Sequence, residues 1–502
     1  MRLAEKGYHV LVLEKGRAYS AEDFPKTNWN LKRWMWLPLL RFFGFFKLTF
    51  FRHITVLSGV GVGGGSLVYA NTLPVPKNKF FTAASWAHLT DWQKELAPFY
   101  LEAEKMLNAT PNPKLQSGDL MLQTLSEEIG REEHFEATCV AVFFGKEDET
   151  VADPYFQGKG PKKSGCNFCG GCMTGCRHNA KNTLDKNYLY LAEKLGVQIQ
   201  AESQVYDVQA IDSTEKTGGY VVKWRNSTRL FRKKGNYRSK GVIFAGGVLG
   251  TVPLLLKLQK RSLPNLSEKI GCGIRTNSES LIGITTFNKD IDFSKGVAIG
   301  SILHTDEHSH IEPVRYASGS GFWRLLLAPM VSGRNWFVRL MKILYDTMRH
   351  PIRNIRVLSV WNFSKRTQIL LFMQTIDSTL RFTQGMFGLK SKMEHGPSPT
   401  AFIPEAQDLA HRYAKLVNGK PVTLITETVA GIPTTAHILG GCIMGRDKTE
   451  GVIDKDHRLF GYDNLYACDG SAISANPGVN PSLTITALSE RAMSKIPLKV
   501  IQ

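Results

Sequence analysis

The 502-residue sequence is short of acid, short of cysteine and without a long uninterrupted apolar run. Its 44 Asp and Glu face 63 Lys and Arg, a formal charge of +19, so anionic partners are expected. Charged residues make up only 21% and hydrophobic ones 43%, which excludes a disordered chain, a collagen-like fibre and a polytopic membrane protein. The most apolar stretches are cut by Arg or Lys and by Pro38 or Pro329 before the ~20 residues that a crossing helix needs. The opening MRLAEKGYHVLVLEKG has neither the continuous apolar region nor the small-residue cleavage site of an export signal, which predicts a cytoplasmic location. No nucleic-acid module accompanies the positive charge, so nucleic acid is not an expected partner. Repeats and low-complexity tracts are missing as well, and the length predicts two or three domains' worth of packing.

Most of the excess charge sits in two places. Residues 29–52 carry Lys32, Arg33, Arg41, Lys47 and Arg52 with no acid, among Trp34, Trp36 and six phenylalanines. Residues 322–366 carry nine basic side chains against Asp346 alone. There Trp336, Phe337, Leu340, Met341 and Leu344 follow helical spacing, with Arg339 and Lys342 off the stripe. Two readings fit: a helix lying on an anionic membrane at its inner face, or a core-packed helix with a solvated basic face.

Near the start, 2–6 reads as the end of a helix, Gly7 as its left-handed stop and 8–13 as a buried strand ending in Glu14. That is the second half of a βαβ dinucleotide-binding unit, in which the acid after the second strand holds a ribose hydroxyl. The preceding strand and glycine turn are absent from this sequence, so the first βαβ unit is read as truncated, by a misassigned start codon or a clipped sequence. Gly59, Gly61 and Gly64 match G-x-G-x-x-G by spacing alone, since 66–73 opens a helix poorly and no acid ends a strand about 20 residues on. The run GVGVGGGS is read instead as backbone that approaches a ligand closely.

Four of the eight cysteines form a C-x2-C-x2-C-x3-C run: Cys166, Cys169, Cys172 and Cys176. The spacing is that of a bacterial ferredoxin, with Arg177 where proline would follow. Three readings stay open: a [4Fe-4S] cluster, a zinc site, or buried and pairing thiols around a glycine-rich turn. Cys139, Cys272, Cys442 and Cys468 are expected in the core. A cluster would send electrons to an acceptor protein or quinone and make the chain a dehydrogenase rather than an oxidase.

Four separated motifs, HVLVLEKGR (9–17), GVGVGGGSLVYANTLPVP (59–76), VIFAGGVLGT (242–251) and AHILGGCIMG (436–445) with NLYACDGSAISANPGVNPSLTITALSER (464–491), resemble the glucose-methanol-choline flavin oxidoreductases, and within them the cholesterol-oxidase-like branch. The resemblance implies a mixed α/β fold, with a Rossmann-like FAD-binding domain interleaved with a sheet-and-helix substrate-binding domain. The expected boundaries are 1–85, 160–280 and 421–502 for the FAD-binding domain, 86–159 for a cap segment and 281–420 for the substrate-binding domain.

Position by position, the resemblance places Glu14 at the adenosine ribose. It places Gly63, Gly64, Gly65 and Ser66 around the pyrophosphate and flavin, and Asn71 at the isoalloxazine edge. Val205, Ala245 and Gly246 fall beside the adenine, Asp469 and Gly470 at the second pyrophosphate contact, and Pro481 and Ser482 at the flavin carbonyl edge. His437 and Asn480 match the catalytic pair, which would hold an alcohol's hydroxyl proton while hydride leaves carbon. One departure stands out: where the branch carries a Glu base ahead of the strand 368–377, this chain has Ser364, Lys365 and Arg366, leaving the base unassigned. The implied reaction is FAD-dependent oxidation of a large apolar alcohol, a 3β-hydroxysterol first, with dioxygen or a protein or quinone acceptor. The alternatives are an iron–sulfur flavoprotein dehydrogenase and a non-catalytic remnant that binds lipid surfaces.

Overall fold

The computed structural model describes residues 1–211, 218–386 and 388–500. Short β-branched runs form short strands, and three pairings between them are parallel. Leu11–Leu13 lies beside Gln198–Gln200, Thr55–Gly59 beside Thr434–Thr435, and Val242–Phe244 beside Leu465–Ala467. Each pairing joins segments remote in sequence, so the N-terminal, middle and C-terminal parts form one α/β body. Gly7, at φ 84, ends the helix Arg2–Glu5 in the left-handed conformation, as its position predicts. The core of this body runs from Ile54 and Leu107 through Val252 to Leu439 and Leu488.

The second body is a seven-stranded sheet. Its order is Leu327–Pro329, Gly419–Leu424, Ser280–Thr286, Thr367–Gln374, Ser309–Val314, Ser301–His304, Phe135–Ala137, with every neighbour antiparallel. The helices Ser117–Glu128 and Pro404–Leu416 pack their apolar residues on it, with Leu122, Leu125, Ile284, Phe372, Ala406 and Tyr413 in one core. Arg315 clamps Asp119 through two bonds of 2.9 and 2.8 Å, both side chains fully buried. The Ser301 hydroxyl and the Gln116 N–H donate to the same carboxylate, so the buried charge is well satisfied. The segment 86–159 is divided. Its helix Trp92–Leu107 joins the first core, with Tyr100 and Thr484 hydroxyls 3.0 Å apart, while Ser117–Glu128 lies on the sheet.

The two basic, aromatic stretches meet. Trp34 stacks on Phe46 at 4.6 Å and meets Trp323 edge-on at 5.7 Å. The expected helix forms as Trp336–Arg349, but its orientation overturns the core-packed reading: Arg339 is buried, whereas Trp336, Phe337, Met341 and Leu344 are exposed. Among the described residues no helix is long and apolar enough to cross a membrane.

Candidate active site

The strand Leu11–Leu13 delivers Glu14 to its C-terminal end. There one carboxylate oxygen accepts the Gly16 N–H at 2.6 Å, and burial raises the carboxyl above its ordinary range. The Ser203 N–H donates to the Glu14 carbonyl at 2.7 Å, which brings the strand bearing Val205 alongside, as expected of two groups sharing one adenosine.

Next comes the glycine loop. Gly63 and Gly64 have φ values of 108 and 56, and a side chain on Gly64 or Gly65 would meet nothing within 4 Å. Ser66 is not free to face a ligand: its hydroxyl donates to the Gly63 carbonyl at 2.6 Å and accepts the Leu184 N–H at 2.9 Å. It fastens the loop instead. Asn71, at φ 73 and fully buried, has both atoms of its carboxamide without a partner. A buried unpaired amide is costly, so this group is built to meet something.

Opposite, Ala245 and Gly246 lead from the strand Val242–Phe244 into the helix Val248–Gln259, and Gly247 and Gly250 also face open space. Asp469 joins here. Its carboxylate accepts from the Gly247 N–H (2.8 Å), the Thr251 hydroxyl (2.6 Å) and the Ser471 N–H (2.7 Å). Burial raises this carboxyl too. Asp469 therefore braces the turn, and the Gly470 carbonyl accepts the Gly440 N–H at 2.9 Å, three residues after His437. Pro481 and Ser482 stand at the N-terminal end of the helix Ser482–Ser494, whose dipole suits electron-rich ligand atoms. Open glycine faces, an orphaned amide and a buried acid at a strand end together fit FAD.

His437 and Asn480 are each held by a carboxylate that the sequence reading missed. Glu279, 1% exposed, accepts from His437 Nδ1 at 2.9 Å, the Thr435 hydroxyl at 2.6 Å and the Ala436 N–H at 3.1 Å. Glu312, fully buried on the strand Ser309–Val314, accepts from Asn480 Nδ2 at 3.3 Å. Burial alone would lower the His437 pKa, but the charges of Glu279 and Glu312 raise it on balance. Burial likewise opposes ionisation of Glu279, and His437 with the other donors keeps its carboxyl low. Asn277 donates to the Val479 carbonyl at 2.8 Å, so one short segment, 277–279, braces both catalytic candidates. Asn480 Oδ1 remains buried and without a hydrogen bond, and Glu312 Oε1 lies 3.4 Å from the buried Nε2 of His310 without a well-formed hydrogen bond. Where the sequence offers Ser364, Lys365 and Arg366, the fold brings a carboxylate to Asn480 from two strands earlier, on Ser309–Val314.

The cysteine run requires a correction. Cys166, Cys169, Cys172 and Cys176 line one cavity of about 20 Å³, room for about one water. Among the described residues no group of three or more His, Cys, Asp or Glu is arranged to hold a metal ion, so neither a [4Fe-4S] cluster nor zinc is assigned to these four. Burial raises the thiol of Cys169 to about 11 and pushes Cys166 and Cys172 up as well. Lys181, lowered to about 8 by burial, donates to the carbonyls of Leu67, Tyr69 and Cys172, tying the cysteine turn beneath the glycine loop. Cys139 is exposed rather than in the core.

Residues 378–489 match the family model described as GMC oxidoreductase. The chain is 45% identical to the cholesterol oxidase of Acinetobacter baumannii over 99% of its own length and 92% of that protein. It is 42% identical to the cholesterol oxidase of Mycobacterium tuberculosis over 99% and 89%. In fold it is similar to pyridoxine 4-oxidase from Mesorbium loti, with a TM-score of 0.60 at 11% identity over 98% and 95% of the two chains. The chain belongs to the glucose-methanol-choline oxidoreductases and is an FAD-dependent enzyme acting on CH–OH groups.

Proposed function

We propose that this enzyme oxidises the hydroxyl of a large apolar alcohol, a 3β-hydroxysterol first among them, to the ketone. The observation that carries the reading is that one short segment, 277–279, braces two carboxylate-bonded groups, His437 through Glu279 and, through Val479, the neighbouring Asn480, which itself bonds Glu312. Bound FAD supplies the hydride acceptor. With Nδ1 assigned as donor to Glu279, His437 offers Nε2 to the alcohol O–H and takes its proton as hydride leaves carbon. The unpartnered Asn480 Oδ1 offers a further bond to the same hydroxyl or to a water beside it.

The substrate class rests on the two relatives named cholesterol oxidase, and so does dioxygen as the final acceptor, reduced to hydrogen peroxide. The parts that hold FAD are 1–85, 160–280 and 421–502, with 281–420 supplying most of the substrate-binding sheet and Phe135–Ala137 its outermost strand. The test is anaerobic bleaching of the flavin band by cholesterol against a short secondary alcohol, followed by admission of oxygen. Bleaching by the sterol at least about tenfold faster, then reoxidation with peroxide release, is expected. Equal rates would remove the sterol reading, and reoxidation only by a quinone would remove dioxygen.

A further inference from the structure

The helices Trp336–Arg349 and Pro351–Leu358 are mounted with their polar side inward. Arg339 is buried, donates to the carbonyls of Val429 (2.7 Å) and Gly333 (2.8 Å), and lies 4.9 Å over the Phe402 ring. Asp346 accepts from Asn354 at 2.9 Å and from Lys420, and Arg353 donates to the Gly419 carbonyl at 2.8 Å. These anchors hold the polar side of the helices against the strand Gly419–Leu424 and the turn Thr426–Ala430. The opposite side carries Phe337, Met341, Leu344, Tyr345 and Met348, spaced as one helical face, continued by Ile352 and Ile355 on the second helix. All seven are exposed, Met348 at 74% and Ile352 at 69%. A helix in water normally turns such a stripe to the core, so this inverted pair leaves a contiguous apolar surface that needs a cover.

Charge selects the cover. Arg334, Lys342, Arg349 and Arg356 flank the stripe and are exposed, and the pair's only acid, Asp346, is occupied by Lys420 and Asn354. A second copy would bring the same cations to the same place and be repelled. An apolar face rimmed by cations matches a plane with anionic headgroups outside and hydrocarbon beneath.

We infer that the helices Trp336–Arg349 and Pro351–Leu358 dock the enzyme on an anionic phospholipid surface. The position suits the chemistry. Arg339 grips Val429 in the turn Thr426–Ala430, and from there the chain runs through Thr434–Thr435 to His437, so the helix pair is anchored on the segment that leads to the catalytic candidate. The docking does not depend on the substrate being a sterol.

The experiment is flotation of the FAD-loaded enzyme with sterol-free vesicles, of phosphatidylcholine alone or mixed with phosphatidylglycerol. Binding to the mixed vesicles, weakened by salt, is expected. Phe337→Glu/Met341→Glu/Leu344→Glu should bind them at least about tenfold more weakly. Arg349→Gln and Arg356→Gln should each weaken binding about fivefold. These positions are exposed, so turnover of a detergent-dispersed alcohol should stay unchanged and report intact folding. Three results would overturn the inference: no flotation of the unaltered enzyme, equal flotation of the triple variant, or a dimer that the triple variant splits in light scattering.

Discussion

Glu279→Gln tests the centre of the site. The carboxylate accepts three hydrogen bonds, from Thr435, Ala436 and His437, and the glutamine has one oxygen to offer them, with its NH₂ forced toward a donor. Hydrogen bonds to a charged group contribute about 1.5–3 kcal/mol against about 0.5–1.5 for neutral ones, so the exchange costs about 1–3 kcal/mol where it is felt. Felt in the transition state, that is about 10- to 100-fold in the rate of flavin reduction.

The pH dependence separates positioning from mere packing. His437 sits above its ordinary value because Glu279 and Glu312 outweigh the effect of burial. Its proton-accepting form grows only above that pKa, so reduction by substrate should rise with pH through an inflection higher than 6.5. In Glu279→Gln burial remains while one opposing charge is gone, and the inflection should move to lower pH. Stability follows the same linkage: a raised folded pKa gives stabilisation that is full below the unfolded value and lost as pH rises through the folded one. The variant should therefore lose stability mostly on the acid side. Anaerobic stopped-flow reduction across about pH 5 to 9, paired with melting curves, measures both. An unaltered rate with an unaltered inflection would refute the role of Glu279.

Three further outcomes are expected. Glu312→Gln should slow flavin reduction by about 10²-fold or more with FAD still bound, because Asn480 loses its charged acceptor beside His437; a near-normal rate in stopped flow would dismiss Glu312. Gly65→Val adds a side chain to open space, so the apoprotein should melt within about 2 °C of the unaltered apoprotein while FAD content falls at least about tenfold; full flavin absorbance would show that the loop is not the cradle. Arg315→Met should cost about 3–5 kcal/mol by stranding Asp119 in the core, read as a lowered urea midpoint, and a shift under about 1 kcal/mol would disprove the clamp.

The helix stop, the first strand and the glycine turn were legible because their signals are local. Gly7 at a helix stop, a strand ending at Glu14 and glycines with positive φ in 63–64 each act within a few residues, and the structure keeps them in place. The carboxylates were not legible. Glu312 lies in SHIEPV, buried at every position, and an acid inside such a strand is a signal in itself. Yet 168 residues separate it from Asn480 and 158 separate Glu279 from His437, and only the tertiary fold brings each pair together. The cysteine spacing failed for a related reason: it counts residues, whereas direction is set by Phe168, Gly170 and Gly175, all at positive φ within the run.

The helix Trp336–Arg349 shows the limit most sharply. Period 3.6 establishes which side chains share a face, and here it did so correctly, from Phe337 through Met341 and Leu344. Which way that face points depends on where the polar side finds partners. Those partners are the carbonyls of Val429 and Gly419 and the ammonium of Lys420, contributed by a strand and turn more than sixty residues downstream. With Arg339 buried against them the apolar stripe is left outside, so a periodic pattern carries the phase of a helix, and the tertiary anchors carry its sign.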